Sequence, residues 1–226
     1  MNGMSASAPP TSAWPMYRAL VGIGLLCGLL IVSVFELTRP VIERNQAEAL
    51  QRAIFQVLPG ARSSATFRLV GEDRFEILEG KPDGAPLAYA GYDADRQLVG
   101  LALEAHGMGY QDVIRLLYGY SFAEQAVIGI RVLESRETPG LGDKIETDPA
   151  FLANFERLDV SLSDDLTRLL HPIEAVKHGT REHPWQVDGI TGATISSAAI
   201  ADILSQSTSW WIPRIRRNLD DFRIAE

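Results

Sequence analysis

Asp188-Gly-Ile-Thr191-Gly192-Ala193-Thr194-Ile-Ser-Ser197 lies between a short strand-like run at 185–187 and an alanine-rich helical run at 196–204. The stretch opens on a carboxylate, passes through small residues that leave the main chain uncovered, and sets the hydroxyls of Thr191 and Thr194 three positions apart. A helix start carries unpaired N–H groups and the positive end of the helix dipole, an arrangement that suits a phosphate. Gly192 and Ala193 let a bulky phosphate approach the backbone closely. The same residues also read as a plain capped helix start, because Thr and Ser are ordinary N-cap residues.

The chain has 226 residues, room for one good-sized domain and an appendage. Its formal charge is −8 with no long basic run, which argues against nucleic acid as a partner. Cys27 is the single cysteine, so the chain forms no internal disulfide and no self-contained cysteine-ligated zinc or iron–sulfur site. Redox chemistry on this chain therefore requires an organic cofactor or a partner's metal. Neither a Gly-x-Ser-x-Gly elbow nor a His-Glu-x-x-His pair is present, which leaves a hydrolase without its nucleophile or metal. His178 and His183 are spaced for neither one helical face nor a familiar ligand set, and read as loop histidines.

Residues 19–35 carry no charge and are bounded by Arg18 and Glu36. As a helix they span roughly 25 Å, which Met16, Tyr17 and a snorkelling Arg18 extend toward membrane thickness. Trp14 and Tyr17 suit an interfacial belt. No small-x-small cleavage pattern follows within residues 36–40, so one uncleaved spanning helix fits better than a removed signal peptide. The expected organisation is a disordered tail at 1–16, a transmembrane helix at 17–37, a connector helix at 38–60 that begins near Pro40, and a soluble domain at 61–226. Arg39, Arg44 and Arg52 follow the span, so charge alone does not favour an outer location for that domain.

Strand-like runs occupy 67–70, 75–78, 87–92, 97–104, 112–118 and 126–134, with turns at Gly71, Gly80, 82–84 and 93–96. A helix is predicted at 149–158, a helical turn at 164–170, a strand at 173–177, and a last helix from 196 to about 211 that breaks near Pro213. Strands in the middle and helices at the two ends predict an α+β fold with antiparallel strands and flanking helices. Arg214, Arg216 and Arg217 form a basic cluster that reads either as a contact for acidic lipid or a partner subunit, or as a solvated helix face.

A second stretch, Glu134-Ser-Arg-Glu137-Thr138-Pro139-Gly140-Leu141-Gly142-Asp143-Lys144-Ile145, makes a tight, open-backbone loop. Such a loop can offer main-chain N–H groups to a ligand's carbonyl oxygens while Leu141 packs on its face. Alone it is also a plain turn. A third, His106-Gly107-Met-Gly109-Tyr110, is a glycine-tyrosine turn that reads equally as an ordinary hairpin.

Asp-x-x-Thr-Gly-Ala-Thr resembles the flavinylation motif of FMN-binding subunits of Rnf-type and sodium-pumping NADH:quinone oxidoreductase complexes, with Thr191 where that family more often has Ser. Glu-Thr-Pro-Gly-Leu-Gly resembles a second hallmark of the same family, and the following Asp-Lys-Ile is more similar to the Rnf G subunit than to the quinone-reductase C subunit. The glycine-tyrosine turn resembles the family more loosely.

The resemblance implies FMN attached to Thr194 through a phosphoester, by a separate FAD-dependent FMN transferase. Asp188, Thr191, Gly192 and Ala193 would serve recognition and access at the attachment site. Glu137, Thr138, Gly140, Leu141, Gly142 and Lys144 would hold the ring, and Gly107 and Gly109 would line its pocket. It further implies an electron relay beside the membrane and iron–sulfur subunits of an Rnf-type complex, which couples ferredoxin and NAD to ion translocation. The soluble domain would then face the periplasm from a single-pass anchor in the inner membrane. The competing expectation is a membrane-tethered extracytoplasmic module that binds a phosphate-bearing ligand or a partner without a redox role.

Overall fold

The computed structural model describes residues 13–80 and 84–223. The expected tail lies outside the described residues as far as residue 12, and so does most of the turn at 82–84. The chain divides into two units, Met1–Glu48 and Ala49–Glu226.

Helix α1 (Trp14–Val57) runs through Pro40 without a boundary there. A proline removes one N–H and crowds the carbonyl four residues earlier, and one lost bond among 44 helical residues does not end the helix. Among the described residues α1 is the one helix long and apolar enough to cross a membrane, and its apolar stretch is unburied.

In the second unit, β1 (Ser63–Val70), β2 (Arg74–Ile77), β3 (Leu87–Tyr92), β4 (Leu98–Met108), β5 (Val113–Ser121), β6 (Ala126–Glu134) and β7 (Leu158–Asp159) build one antiparallel sheet in the order β2-β1-β3-β4-β5-β6-β7. β8 (Glu174–Val176) and β9 (Gln186–Asp188) form a separate parallel pair. Two short helices, α2 (Lys144–Thr147) and α3 (Pro149–Leu152), precede α4 (Thr194–Arg217).

The sheet has two covered faces. On one, Ile200, Leu204 and Ile212 of α4 join Leu101, Leu103, Ile114 and Leu116 in the main core, and Tyr118 reaches the Ser207 hydroxyl at 3.0 Å. On the other, Ala53, Ile54, Val57 and Leu58 pack with Tyr89, Ala102 and Leu117. The second contact needs glycine. Gly91 pairs with Gly100 and Gly119 pairs with Gly129 across the central strands, which opens a lane for Val57 and Leu58. A Cβ at Gly91 would come 2.7 Å from Leu58 Cδ1, and one at Gly119 would run into the Val57 carbonyl.

Three local expectations change. The helix expected at 149–158 stops after α3 and a 3-10 turn, Ala153–Phe155, because Asn154 turns its amide to the Phe151 carbonyl at 2.9 Å and to β9. The expected helical turn at 164–170 is a small hairpin, with Leu162 bridged to Leu169. Asp165 organises it: hydrogen bonds from the Ser163 and Thr167 hydroxyls hold that carboxyl down at about 2. The last helix is not broken at Pro213, which is buried, as are Trp211, Ile212 and Ile215 around it in the helix; burial of this stretch outweighs the missing N–H. The arginines that follow are largely used within the domain, since Arg217 meets Asp73 at 3.0 Å and Arg214 lies over the Trp210 ring.

Gly119→Ala is expected to destabilise the soluble unit by about 1–3 kcal/mol through overpacking against the Val57 carbonyl. A fall in the denaturant midpoint at unchanged slope checks it, and an unchanged midpoint would remove the glycine lane from the account.

Candidate functional site

The turn before α4 is built by backbone. The Ala193 N–H donates to the Ile190 carbonyl at 3.0 Å, and Gly192, third in that turn, has φ +84°, a conformation suited to glycine. Ala193 is the N-cap and has no side chain with which to cap. Thr194 is therefore the first helical residue, two positions earlier than the sequence indicates, and it is exposed. The first helical bond runs from the Ser197 N–H to the Ala193 carbonyl at 2.9 Å. Among the described residues the N–H groups of Thr194, Ile195 and Ser196 meet no acceptor, and the Thr194 hydroxyl makes no hydrogen bond. These are the free donors of a helix start, with no capping oxygen supplied. Ser197 stitches the turn to the helix, accepting from the Ile190 N–H at 3.2 Å and donating to the Thr194 carbonyl at 3.1 Å.

The second motif folds over this helix start. Thr138-Pro-Gly-Leu141 closes a turn in which the Leu141 N–H reaches the Thr138 carbonyl at 3.2 Å and Gly140 takes φ +76°. Proline second and glycine third is the residue order such a turn requires. Glu137 is buried, 5% exposed. Its Oε1 accepts from the Gln111 N–H at 3.0 Å, and its Oε2 accepts from the Ser196 hydroxyl. Neither neighbouring glycine has room for a side chain: a Cβ at Gly109 would strike Glu137 Oε1, and one at Gly142 would sit 2.8 Å from Oε2.

Between the two motifs lies a cleft of about 350 Å³, within the usual range for small-molecule sites. Glu137, Thr138, Leu141 and Gly142 form one wall, and Gly192, Ala193 and Thr194 with Ile195 and Ser196 form the other. Tyr110, Leu141 and Ile195 edge it while remaining 64%, 50% and 57% exposed. Among the described residues no lysine or arginine lines it.

Several expected site residues lie elsewhere. Asp188, Thr191 and Lys144 line a second, smaller cleft of about 160 Å³ behind the turn, with His178 and Asp148. Both Asp188 oxygens accept from the Gly179 N–H, at 2.7 and 3.0 Å, and His178 Nδ1 stands 3.5 Å from Oδ2. Asp188 thus caps a turn. Gly107 packs against α4, where a Cβ would come 2.6 Å from Ile203 Cγ1, and Gly109 backs onto Glu137; neither lines the first cleft. Gly140 shapes the turn without lining it.

The FMN-binding domain family matches residues 109–208, the span that carries both motifs. The G subunit of the ion-translocating oxidoreductase complex of Methanosarcina acetivorans is 31% identical over 196 residues, covering 84% of this chain and 90% of that protein. The chain belongs to the family of these G subunits. Its counterpart in Haemophilus influenzae is 33% identical over 200 residues, covering 84% of this chain and 86% of its own. Two solved structures share the fold. NqrC of Shewanella oneidensis has TM-score 0.60 at 15% identity, over 80% of this chain and all of that one. The C subunit of the Na(+)-translocating NADH-quinone reductase of Parabacteroides distasonis has TM-score 0.58 at 20% identity, over 76% and 94%.

Sequence reasoning missed Ile195, Ser196 and Asn154 in this member of the G-type family. Asn154 is 2% exposed and holds the start of the motif: its Oδ1 accepts from the Asp188 N–H at 2.9 Å and its Nδ2 donates to the Asp188 carbonyl at 3.2 Å. Nothing local in the sequence marks a contact across 34 positions. Asn154→Ala is expected to cost about 1–3 kcal/mol by leaving buried groups unpaired, and to speed hydrogen exchange at the Asp188 amide about tenfold or more. Unchanged exchange would contradict that role.

Proposed function

We propose that this chain is a membrane-anchored electron carrier whose FMN is joined through its phosphate to Thr194, within an ion-translocating oxidoreductase complex like those named for its relatives. The observation that carries the attachment is Thr194 itself: an exposed, unbonded hydroxyl at the uncapped start of α4, opening onto a cleft walled by the second motif.

The residues present fit FMN. Three free N–H groups at the start of α4 suit phosphate oxygens. Leu141, Ile195 and Tyr110 offer apolar surface to a flat ring. The charge balance favours a tether. A free phosphate monoester carries about −1.5 to −2 at neutral pH, a diester only one charge, and among the described residues no lysine or arginine lines the cleft to offset the difference. The bond also keeps the cofactor outside the cytoplasm, where lost FMN is not replaced.

Attachment balances as a transfer from FAD. The Thr194 hydroxyl oxygen bonds to the FMN-side phosphorus, the pyrophosphate bond to the AMP half breaks, AMP leaves, and the hydroxyl proton is released. No electrons change hands in that step, and an FAD-dependent FMN transferase supplies its catalysis. Once bound, FMN supplies the redox chemistry, and the protein supplies position and surroundings. Partner subunits with iron–sulfur centres would exchange electrons with it. Asp188 and Thr191 stand on the reverse side of the turn, where a maturation enzyme could grip the motif without entering the cleft.

Two experiments test this reading. Chain co-produced with the transferase should keep yellow in-gel fluorescence after denaturation. Thr194→Val should abolish the signal, whereas Thr191→Val should retain most of it, and label surviving in Thr194→Val would refute the attachment. For orientation, a C-terminal alkaline phosphatase fusion should be active and a green fluorescent protein fusion dark; the reverse pattern places the domain in the cytoplasm.

A further inference from the structure

We infer that Glu137 is a positioning residue for the modification of Thr194, acting through the Ser196 hydroxyl. The inference rests on the attachment proposed above. A helix start usually supplies its own cap, and a common form places a Glu or Gln three residues inside the helix, reaching back. Here the cap residue is Ala193, and the third helical residue is Ser196. A carboxylate does reach this turn, but from Glu137, 59 positions earlier in the chain, and it holds the Ser196 hydroxyl while the Ala193 N–H goes to the Ile190 carbonyl.

The arrangement is enclosed. Glu137 is 5% exposed, and its two oxygens are held by the Gln111 N–H and the Ser196 hydroxyl. Its second oxygen fixes the Gln111 N–H at 3.0 Å, and Gly109 and Gly142 lack the side chains that would collide with it. Both oxygens are engaged by the protein itself, so the side chain serves the geometry of the cleft rather than reaching out to a ligand. Thr194 stands on the same helical turn as Ser196, and its hydroxyl has no hydrogen bond among the described residues. The place of that oxygen is therefore set by the backbone of the first turn. Ser197 holds the turn on one side, through the Ile190 N–H and the Thr194 carbonyl, and Glu137 holds it on the other. Small misplacements of a reacting atom cost large factors in rate, so loosening this grip slows the transfer of FMN to an intact Thr194.

The test uses the full-length chain in detergent with FAD and the FMN transferase, following the adduct by intact mass. Glu137→Ala and Ser196→Ala are each expected to lower the maximal attachment rate about tenfold, with the transferase's KM for FAD unchanged. The double variant should be no slower than the slower single one, because both remove the same contact. Glu137→Gln should restore most of the rate, since its amide oxygen still accepts the Gln111 N–H and its NH2 can donate to the Ser196 hydroxyl oxygen. Folded Glu137→Ala labelled at the wild-type rate, or single effects that multiply in the double variant, would overturn the inference. If circular dichroism finds Glu137→Ala unfolded, Ser196→Ala decides alone, and a wild-type rate there overturns it. A wild-type chain that takes no adduct, or a Thr194→Val chain that takes one, defeats the attachment reading and this inference with it.

Discussion

The carboxylate of Glu137 is shared between the Gln111 main chain and the Ser196 hydroxyl, and the whole cleft is shaped around that sharing. It joins the turn after β4, the Thr138–Leu141 turn and the start of α4, three segments that no strand pairing connects. The glycines that flank it are fixed by volume: at 109 and 142 the space for a Cβ is already filled by its oxygens. A buried polar group of this kind stabilises only while every partner is present, and each unmet donor or acceptor costs about 1–3 kcal/mol. The clamp therefore ties the order of the cleft to the order of the fold, through α4 and the sheet face it covers.

The segment from Asp188 to Ser197 works on two sides. Its front presents Gly192, Ala193 and Thr194 to the cleft, together with the N–H groups of Thr194, Ile195 and Ser196 that meet no acceptor among the described residues. Its back presents Asp188 and Thr191 to a separate hollow, with Asp188 committed to the Gly179 N–H and with Asn154 fixing its main chain. Asp188 turned away spares the phosphate proposed there one repulsion, and the Glu137 carboxylate that does line the front cleft has both oxygens held by protein donors. Support from behind and exposure in front leave a hydroxyl held in place yet unencumbered.

Much of this was legible in the sequence where the signal is local. Pro139 and Gly140 announce their turn, Gly192 announces the next, and the strand-like runs of β3 to β6 with turns between them announce an antiparallel sheet. Both motifs could be recognised, and they do meet at one cleft. What was not legible depends on contacts distant in sequence. Lys144 and Asp188 fall behind the turn because β9 pairs with β8 and because Asn154, 34 positions away, holds the Asp188 main chain. Gly107 and Gly109 look like ligand-facing glycines, yet one makes room for Ile203 and the other for Glu137. Pro213 reads as a break, and burial on the sheet carries α4 through it. In each case tertiary packing overrides a local preference.

The central claim is that the oxygen of Thr194 bears the phosphate of FMN at the mouth of this cleft. The most direct measurement is fragmentation mass spectrometry of the peptide spanning Asp188 to Ser197, taken from the protein in its own membrane. The account predicts one FMN-phosphoryl adduct, localised to Thr194, on nearly every copy. An unmodified peptide, or an adduct localised to Thr191, would contradict it.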